Sequence, residues 1–258
     1  MKNPARILVP CRRGRVIIAS DAHYWPGRPT TAHRALVQFI EKYRPEVVIM
    51  NGDVIDASTI SRHPPIGWEK HPSLKEELAV AQDRLDEVEY VAREARLIWT
   101  LGNHDARFET RLASVLPEFK GVYGVHLKDH FPAWEPAWTV EVGGKRGAIV
   151  KHRFKGGMGA ALNNALWSGR TVVTGHFHRL QVTPITDYSG TRFGVEGGML
   201  AESPGPQFTG YTEDNPQNWR SGFVMLTFVN GRLLWPEIIS VVKPGLVDFR
   251  GRLVKVAK

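Results

Sequence analysis

The sequence Gly-Asn-His-Asp at residues 102–105 constrains this chain more than any other stretch, because it directly follows the apolar run 96–101. An amide oxygen, an imidazole and a carboxylate therefore occupy three consecutive positions where a strand is predicted to end. Gly102 is expected to let the backbone turn sharply there, so that the side chains after it can face a common point. The stretch predicts a polar site at the end of a buried strand.

Four other apolar runs also end in histidine or aspartate. The polar residues at these corners are Asp21 and His23, Asp53 and Asp56, His152, and His176 and His178. In the first and last corners the two polar residues are separated by one residue, which places both side chains on one face of an extended segment. Loops beyond the carboxyl ends of strands are where α/β sheets build their sites. All five corners are therefore predicted to converge.

Strand-like and helical patterns alternate in the first half of the chain, with strands predicted at 15–20, 47–50 and 96–101 and helices at 31–43, 74–95 and 108–116. From about residue 121 the pattern changes to short strands separated by glycine. These are predicted at 138–142, 147–151, 171–174, 181–186, 191–195, 222–229 and 232–240, with a helix at 157–167. The last two strands are expected to form a hairpin across Asn230 and Gly231. The alternation predicts a fold of the α/β (α+β) class with two packed sheets, helices outside and one domain over residues 1–258.

Composition limits the class of protein and the kind of metal site. The chain is 42% hydrophobic and 23% charged, as globular proteins are. It contains no run near the roughly 18 apolar residues that span a membrane. The first 15 residues include no apolar signal-peptide core, so we expect a cytoplasmic protein without a membrane partner. The single cysteine, Cys11, excludes an internal disulfide and a cysteine-based zinc site. A metal would be held by imidazole, carboxylate and amide oxygen, a set that suits Mn, Fe, Zn or Ni.

The net charge of +8 favours anionic partners, although the basic residues are not gathered in a dense run. A nucleic-acid surface and an ordinary basic surface are equal alternatives. The tryptophans at 25, 68 and 219 would suit stacking on bases, or would serve as packing anchors. Candidate phosphate-binding cations, which would otherwise be surface charges, are Arg62, Arg107, Arg153 and Lys155. The loop 58–73 is a functional loop or a variable insertion, and the loop 200–220 faces the substrate or a second copy of the chain.

Grouping so many carboxylates and imidazoles without a cation would be energetically costly, which favours a metal centre. In their order the motifs resemble those of the calcineurin-like metallophosphoesterase superfamily. The motifs are Asp-Ala-His at 21–23, Gly-Asp-Val-Ile-Asp at 52–56, Gly-Asn-His-Asp at 102–105, His152, and Gly-His-Phe-His at 175–178. The resemblance implies an αββα sandwich of two mixed sheets flanked by helices, together with a centre for two divalent metal ions.

Two ligand sets follow from the resemblance, with Asp53 bridging them. One metal would be held by Asp21, His23, Asp53 and His178. The other would be held by Asp53, Asn103, His152 and His176. Manganese is the expected metal, with Fe, Zn and Ni as alternatives.

The resemblance also implies the reaction, in which a hydroxide activated by the metals attacks phosphorus in line. His104 follows a ligand without being one, and would donate a proton to the leaving alkoxide. Asp56 would orient His104. For Asp105 two roles stay open, a part in the site or an N-cap of the following helix.

Departures from the family pattern bear on the substrate. Protein Ser/Thr phosphatases have Asp-Arg-Gly at the end of the second motif, whereas here Asp56 is followed by Ala57 and Ser58, which argues against a protein phosphatase. Around the fourth motif the family often shows His-Gly, and this chain has Lys-His-Arg at 151–153. The motifs are closer to the nuclease and phosphodiesterase branches, so the expected substrate is a phosphodiester or monoester in a nucleotide or in DNA or RNA. Alternatives are a small-molecule phosphomonoesterase, a cyclic-nucleotide phosphodiesterase, and a catalytically inactive nucleic-acid-binding module.

Overall fold

A computed structural model describes residues 5–62, 70–203, 205–208, 212 and 215–257 of the chain. Part of the predicted loop 58–73, including Trp68, and part of the loop 200–220 lie outside these residues. Strands and helices alternate in the first part of the chain. In order they are β1 Ile7–Val9, β2 Gly14–Ala19, α1 Thr31–Tyr43, β3 Val47–Met50, α2 Leu74–Val91, β4 Arg96–Thr100 and α3 Asp105–Val115.

The remaining elements are mostly strands. They are α4 Leu127–His130, β5 Glu135–Ala137, β6 Val140–Val142, β7 Ala148–Val150, α5 Ala160–Ser168, β8 Thr171–Thr174, β9 Leu180–Asp187, β10 Gly190–Gly197, β11 Gly222–Val229, β12 Arg232–Leu233, β13 Glu237–Lys243, β14 Leu246–Phe249 and β15 Arg252–Lys255. Single 3-10 turns lie at Ser58–Ile60, Pro117–Phe119, Gly144–Arg146 and Pro206–Phe208. The hairpin across Asn230 and Gly231 is confirmed, with Val229 opposite Arg232.

A helix end and a proline explain two differences from the predicted boundaries. The α2 helix begins at Leu74, as predicted, after a capping box between Ser73 and Glu76. It ends at Val91, short of the predicted residue 95, because Ala92 starts a turn closed by the Ala95 amide. The predicted strand 232–240 is two strands, β12 and β13. Pro236 lies between them and has no N–H group for a ladder hydrogen bond.

The fold contains two mixed β-sheets. The nine-stranded sheet has the order β15-β14-β13-β11-β2-β3-β4-β5, with β12 paired to β11, and the six-stranded sheet has the order β1-β6-β7-β8-β10-β9. The strands β2 to β5 pair in parallel, while β11 adds to β2 in the antiparallel direction. Parallel and antiparallel pairing therefore share one sheet, and the two halves of the chain do not form separate sheets.

The central strands are apolar on both faces because both faces are covered. In β2, Val16 and Ile18 pack into the layer between the two sheets, while Ile17 packs with Leu36 and Phe39 of α1. The other sheet is covered by α5, which approaches so closely that a Cβ at Gly194 of β10 would lie 1.7 Å from the Ala161 carbonyl oxygen. The layers are therefore helices, the nine-stranded sheet, the six-stranded sheet and a helix. This order confirms the predicted αββα sandwich. Within the described residues no helix is long and apolar enough to cross a membrane.

Candidate metal centre

The corners after β2, β3, β4, β7 and β8 meet at one edge of the sandwich. The potential ligand atoms of Asp21, His23 and His178 lie within 4.8 Å of one another, and the same holds for those of Asp53, His152 and His176. A third group at this spacing consists of His23, Asp56 and His104. The structure therefore brings together every carboxylate and imidazole that the motifs predict for the site.

The Asp53 carboxylate lies between the first two groups. Its Oδ2 is 3.0 Å from His152 Nε2 and 4.0 Å from His23 Nε2. One oxygen atom thus faces a residue of each group, which is the position expected of a ligand shared by two cations. Because the carboxylate is almost fully buried, its negative charge needs a compensating positive charge close by.

Several ligand atoms at this edge are buried and have no hydrogen-bond partner among the described residues. They are His23 Nε2, Asn103 Oδ1 and His178 Nδ1. Leaving a buried polar atom unpaired costs about 1–3 kcal/mol, so native structures contain few of them. Three such atoms on predicted ligands within one site fit a centre in which cations supply the missing partners. The nitrogen and oxygen donors also match the ligand chemistry of Mn, Fe, Zn or Ni.

Five of the predicted ligands have a left-handed backbone conformation. Their φ angles are 50° at Asp21, 38° at His23, 52° at Asp53, 74° at His176 and 56° at His178. Such residues typically cost about 1–3 kcal/mol each and cluster at functional sites. Hydrogen bonds between the corners hold them in place: the amides of Asp21 and His23 donate to the carbonyls of Gly52 and Asp53, each at 2.9 Å.

Glycines in three of the motifs allow the corners to approach one another. A Cβ at Gly102 would lie 2.0 Å from Asp53 Oδ1, one at Gly52 would lie 2.4 Å from His152 Nδ1, and one at Gly175 would lie 1.9 Å from Ser20 Oγ. Gly102 does not have a positive φ. Its role is therefore close approach to Asp53, and the left-handed backbone conformation occurs at the ligands themselves.

Asp56 holds two imidazole rings. Its Oδ1 lies 3.0 Å from His23 Nδ1 and 2.9 Å from His104 Nδ1. Burial opposes the ionised carboxylate, but the hydrogen bonds from these two rings outweigh that effect and hold the pKa of Asp56 well below its usual range. The contact with His104 agrees with the predicted orienting role, whereas the contact with His23 was not foreseen. With Nδ1 of both rings held by Asp56, their Nε2 atoms face the centre.

Asp105 is a site residue that sequence reasoning left undecided. It is the first residue of α3, and the N-cap position belongs to His104, which makes no side-chain capping bond. The buried Asp105 carboxylate accepts hydrogen bonds from the amides of Asp53 and Gly102, each at 2.8 Å, and from Trp99 Nε1 at 2.9 Å. The N-cap alternative is therefore wrong. Burial and the nearby charge of Asp53 raise the pKa of Asp105 to about 6.

The histidines differ in how their surroundings affect protonation. Burial disfavours the charged form of His152, but the charges of Asp53 and Asp21 outweigh it and raise its pKa to about 9. Burial and the neighbouring His152 lower the pKa of His176 to about 4. Burial likewise opposes protonation of His104, yet the hydrogen bond to Asp56 and the charge of Asp53 raise its pKa.

Arg107 is the candidate phosphate-binding cation that the structure places at the centre. Its Nη1 donates to the Asp56 carbonyl at 3.1 Å, and its Nη2 lies 3.4 Å from His104 Nε2. Arg107 stands one helical turn after His104 in α3, which explains why the two side chains meet. The guanidinium is therefore positioned beside the atom that would face a leaving group.

Aromatic rings cover the side of the centre formed by His23 and His178. The ring centre of Phe208 lies 5.3 Å from those of both histidines, and Trp219 lies 4.5 Å from His178. Trp219 also packs on Phe208 at 5.0 Å. Of the two roles considered for this tryptophan, packing is the one the structure shows, and the packing is against a predicted ligand. The ring centre of Trp25 lies 5.8 Å from that of His71.

Known proteins were compared with the chain. The family model described as calcineurin-like phosphoesterase matches residues 14–180. Similar solved structures include zinc-complexed wild-type Vps29 from Entamoeba histolytica, with 13% identity and a TM-score of 0.46 over 94% of this chain and 99% of that one. They also include the phosphoesterase YfcE from E. coli, with 13% identity and a TM-score of 0.37 over 86% of this chain and 97% of that one. A dimetal phosphatase from Danio rerio has 11% identity and a TM-score of 0.46 over 94% and 98%.

No curated protein matches the chain significantly. The family match, by contrast, spans more than half of the chain and includes every predicted ligand from Asp21 to His178. The protein therefore belongs to the calcineurin-like phosphoesterase family and is a metal-dependent phosphoesterase.

Proposed function

We propose that this phosphoesterase uses two divalent metal ions, manganese first among them, to hydrolyse a phosphodiester or monoester of a nucleotide or nucleic acid. The position of Asp53 Oδ2, which faces both groups of ligands, is the observation that carries the proposal of two ions. The proposed first set is Asp21, His23, Asp53 and His178. The second set is Asp53, Asn103, His152 and His176.

Cations bound there supply Lewis acidity, which neutralises phosphoryl oxygens and makes water more acidic. The chain's own residues align the substrate and move the proton. Asp53 would be shared by both ligand sets and Asp21 would belong to the first, so the two carboxylates would balance the positive charge at the corners where the phosphoryl group binds. Arg107, beside His104, binds a further phosphoryl oxygen, since a guanidinium matches that geometry.

His104 donates the proton that the leaving oxygen needs. Because Asp56 holds its Nδ1, the proton available for transfer is the one on Nε2, which lies 3.9 Å from Asp53 Oδ2 at the centre. A carboxylate next to the imidazole stabilises the protonated ring. Asp56 therefore fixes the orientation of His104 and keeps it charged until the leaving group accepts its proton.

Two features favour a nucleotide or nucleic-acid ester. Asp56 is followed by Ala57 and Ser58, so the arginine that grips phosphate in protein phosphatases is missing from that position of the sequence. The net charge of +8 attracts substrates that carry several phosphates.

Hydrolysis of bis-p-nitrophenyl phosphate and of p-nitrophenyl phosphate, by metal-stripped protein reconstituted with Mn, tests the proposal. We expect metal-dependent hydrolysis with preference for the diester, and its loss in Asp53→Ala. The exposed Asp83→Asn on α2 is the matched control, which should hydrolyse the diester as the wild type does. Preference for the monoester would favour the small-molecule phosphomonoesterase. Bound metal without hydrolysis of either ester would favour the inactive binding module.

A further inference from the structure

Almost all of the chain's net positive charge comes from one segment. Residues 142–186 contain seven Lys and Arg and no Asp or Glu, so they contribute +7 of the net charge of +8. The cations are spaced along the segment, and the absence of acidic residues is what creates the imbalance. The segment includes the predicted ligands His152, His176 and His178, and Arg153 directly follows the first of them.

Four of these cations, Lys145, Arg146, Arg153 and Lys155, are exposed and have no ion-pair partner in the described part of the chain. Arg170 is paired with Glu141 at 3.0 Å, and Arg179 is paired with Glu196 at 2.7 Å. Arg153 and Lys155, in contrast, lie exposed in the loop between His152 and α5. Their charges are therefore available to an anionic ligand.

Exposed aromatic rings accompany these cations. Trp167 on α5 is 71% exposed and Phe154 is 41% exposed. Lys155 Nζ lies 4.2 Å from the centre of the Trp167 ring, and Lys151 Nζ lies 5.0 Å from that of Phe154. Each ring thus has an ammonium group beside it, an arrangement that offers a stacking partner for a base next to a charge for its phosphate.

The loop between His152 and α5 is continuous with the metal centre. A Cβ at Gly156 would lie 3.3 Å from the Phe177 ring, so the loop packs directly on this residue. Phe177 stands between His176 and His178 in the sequence, and its ring centre is 5.0 Å from that of His176. A chain of nucleotides on Trp167 and Phe154 would therefore lead to the ligands.

We propose that the surface formed by Arg153, Phe154, Lys155, Trp167 and Phe177 binds single-stranded nucleic acid and delivers its phosphodiester to the metal centre. The delivery step rests on the proposed function, whereas binding does not. Exposed rings select a strand whose bases are free to stack, because a duplex stacks its bases internally. Alternating cations select the polyanion over an uncharged protein partner. The surface therefore favours a polymeric substrate over a free nucleotide.

Anisotropy of a fluorescein-labelled oligothymidylate of about 16 nucleotides tests the surface, with metal-stripped protein so that the strand is not cleaved. We expect Trp167→Ala and Lys155→Glu each to weaken binding at least about fivefold, the lower end of the effect of a lost stacking contact. Lys155→Glu should also reduce the slope of log K against log salt by about 1.

Tyr90 and Arg93 provide matched controls. Tyr90 of α2 is 69% exposed, Arg93 lies 4.8 Å from its ring centre, and α2 covers the other sheet. We expect Tyr90→Ala and Arg93→Glu to bind the oligonucleotide as the wild type does. Hydrolysis of bis-p-nitrophenyl phosphate by the Mn-loaded protein should match the wild type in these two control variants, because neither residue belongs to the metal centre or to the proposed surface.

The outcomes separate this proposal from the proposed function. Unchanged oligonucleotide binding in Trp167→Ala and Lys155→Glu, or an equal affinity of the wild type for a duplex, would overturn the proposed single-strand-binding surface. So would light scattering that shows a wild-type dimer converted to a monomer by Trp167→Ala with oligonucleotide binding intact, because the surface would then join two copies. Surface-dependent binding by a protein that hydrolyses no ester would support the surface and contradict the hydrolase.

Discussion

The carboxylate of Asp105 and the amide of Asp53 are joined by a hydrogen bond of 2.8 Å, which ties the corner after β4 to the corner after β3. The same oxygen of Asp105 accepts the Gly102 amide at 2.8 Å, and its other oxygen accepts the Val54 amide at 2.9 Å. The position of Asp53, the proposed bridging ligand, therefore depends on the Asp105 carboxylate, which also binds the amides of Gly102 and Val54.

Replacing Asp105 with asparagine should weaken metal binding without removing a ligand. One acceptor oxygen becomes a donor that faces other donors, so the corner at Asp53 loses its alignment. We expect the affinity for Mn to fall by about 10- to 100-fold, as for other partners that orient ligands. Titration calorimetry measures this, with the exposed Asp83→Asn as the control. Equal affinities for Mn in the two variants would show that Asp105 does not position the ligands.

His104→Asn should lower kcat in a way that depends on the leaving group. For a dinucleotide, whose alkoxide leaving group needs a proton, we expect a loss of about 10²- to 10⁴-fold. For bis-p-nitrophenyl phosphate the loss should be smaller, because p-nitrophenolate leaves without protonation. Metal content, measured alongside, should stay at the wild-type value. An identical loss with both substrates would contradict the role of His104 as the acid.

Removing His152 should empty one of two metal positions. We expect His152→Ala, reconstituted with Mn, to contain about one ion per chain where the wild type contains about two. Elemental analysis after desalting counts the ions. EDTA should lower the Tm of the wild type, since a ligand present at 100 times its Kd stabilises the folded state by about 2.7 kcal/mol. Two ions retained in the variant would remove His152 from the ligand set.

Glu77 should make stability depend on pH. This buried residue of α2 accepts the Ala57 amide at 2.5 Å, and burial together with the charge of Asp56 raises its pKa from 4.5 to about 7. Between these values the folded state binds more protons than the unfolded state, so the free energy of unfolding falls as the pH rises. From about pH 5 to 8, the metal-free wild type should lose up to about 3 kcal/mol relative to Glu77→Gln.

Urea unfolding at both pH values measures this difference. The exposed Glu94→Gln, just after the same helix, should follow the pH dependence of the wild type. If the difference in unfolding free energy between the wild type and Glu77→Gln did not change with pH, the carboxyl of Glu77 would titrate normally in the folded protein.

The interior of the fold could be predicted, while its edges could not. The strands β2, β3 and β4 are buried on both faces, so each is a continuous apolar run that ends at a recognisable corner. The strands β1, β5, β14 and β15 were missed because each has only three or four residues, too few to show a clear alternation. The antiparallel addition of β11 to β2 joins residues more than 200 positions apart, and local periodicity contains no information on such pairing.

The site was predictable as a set of side chains and not as a set of contacts. Ligand types and spacing are local properties of the motifs, and the structure places those residues together. The bond of Asp56 to His23 and the bond of Asp105 to Asp53 join different motifs. They depend on how the corners pack, which only the folded chain determines.

The left-handed corners also limit which ligands the site can use. Among residues other than glycine, aspartate, asparagine and histidine adopt this conformation most readily, whereas branched side chains are rarely found in it. Asp21, His23, Asp53, His176 and His178 all have it. A glutamate at Asp21 or Asp53 would keep a carboxylate but would have to take up a backbone conformation that it does not favour. The backbone thus selects the chemical type of the ligand before any metal arrives, and the metals available to the centre are those that accept aspartate and histidine.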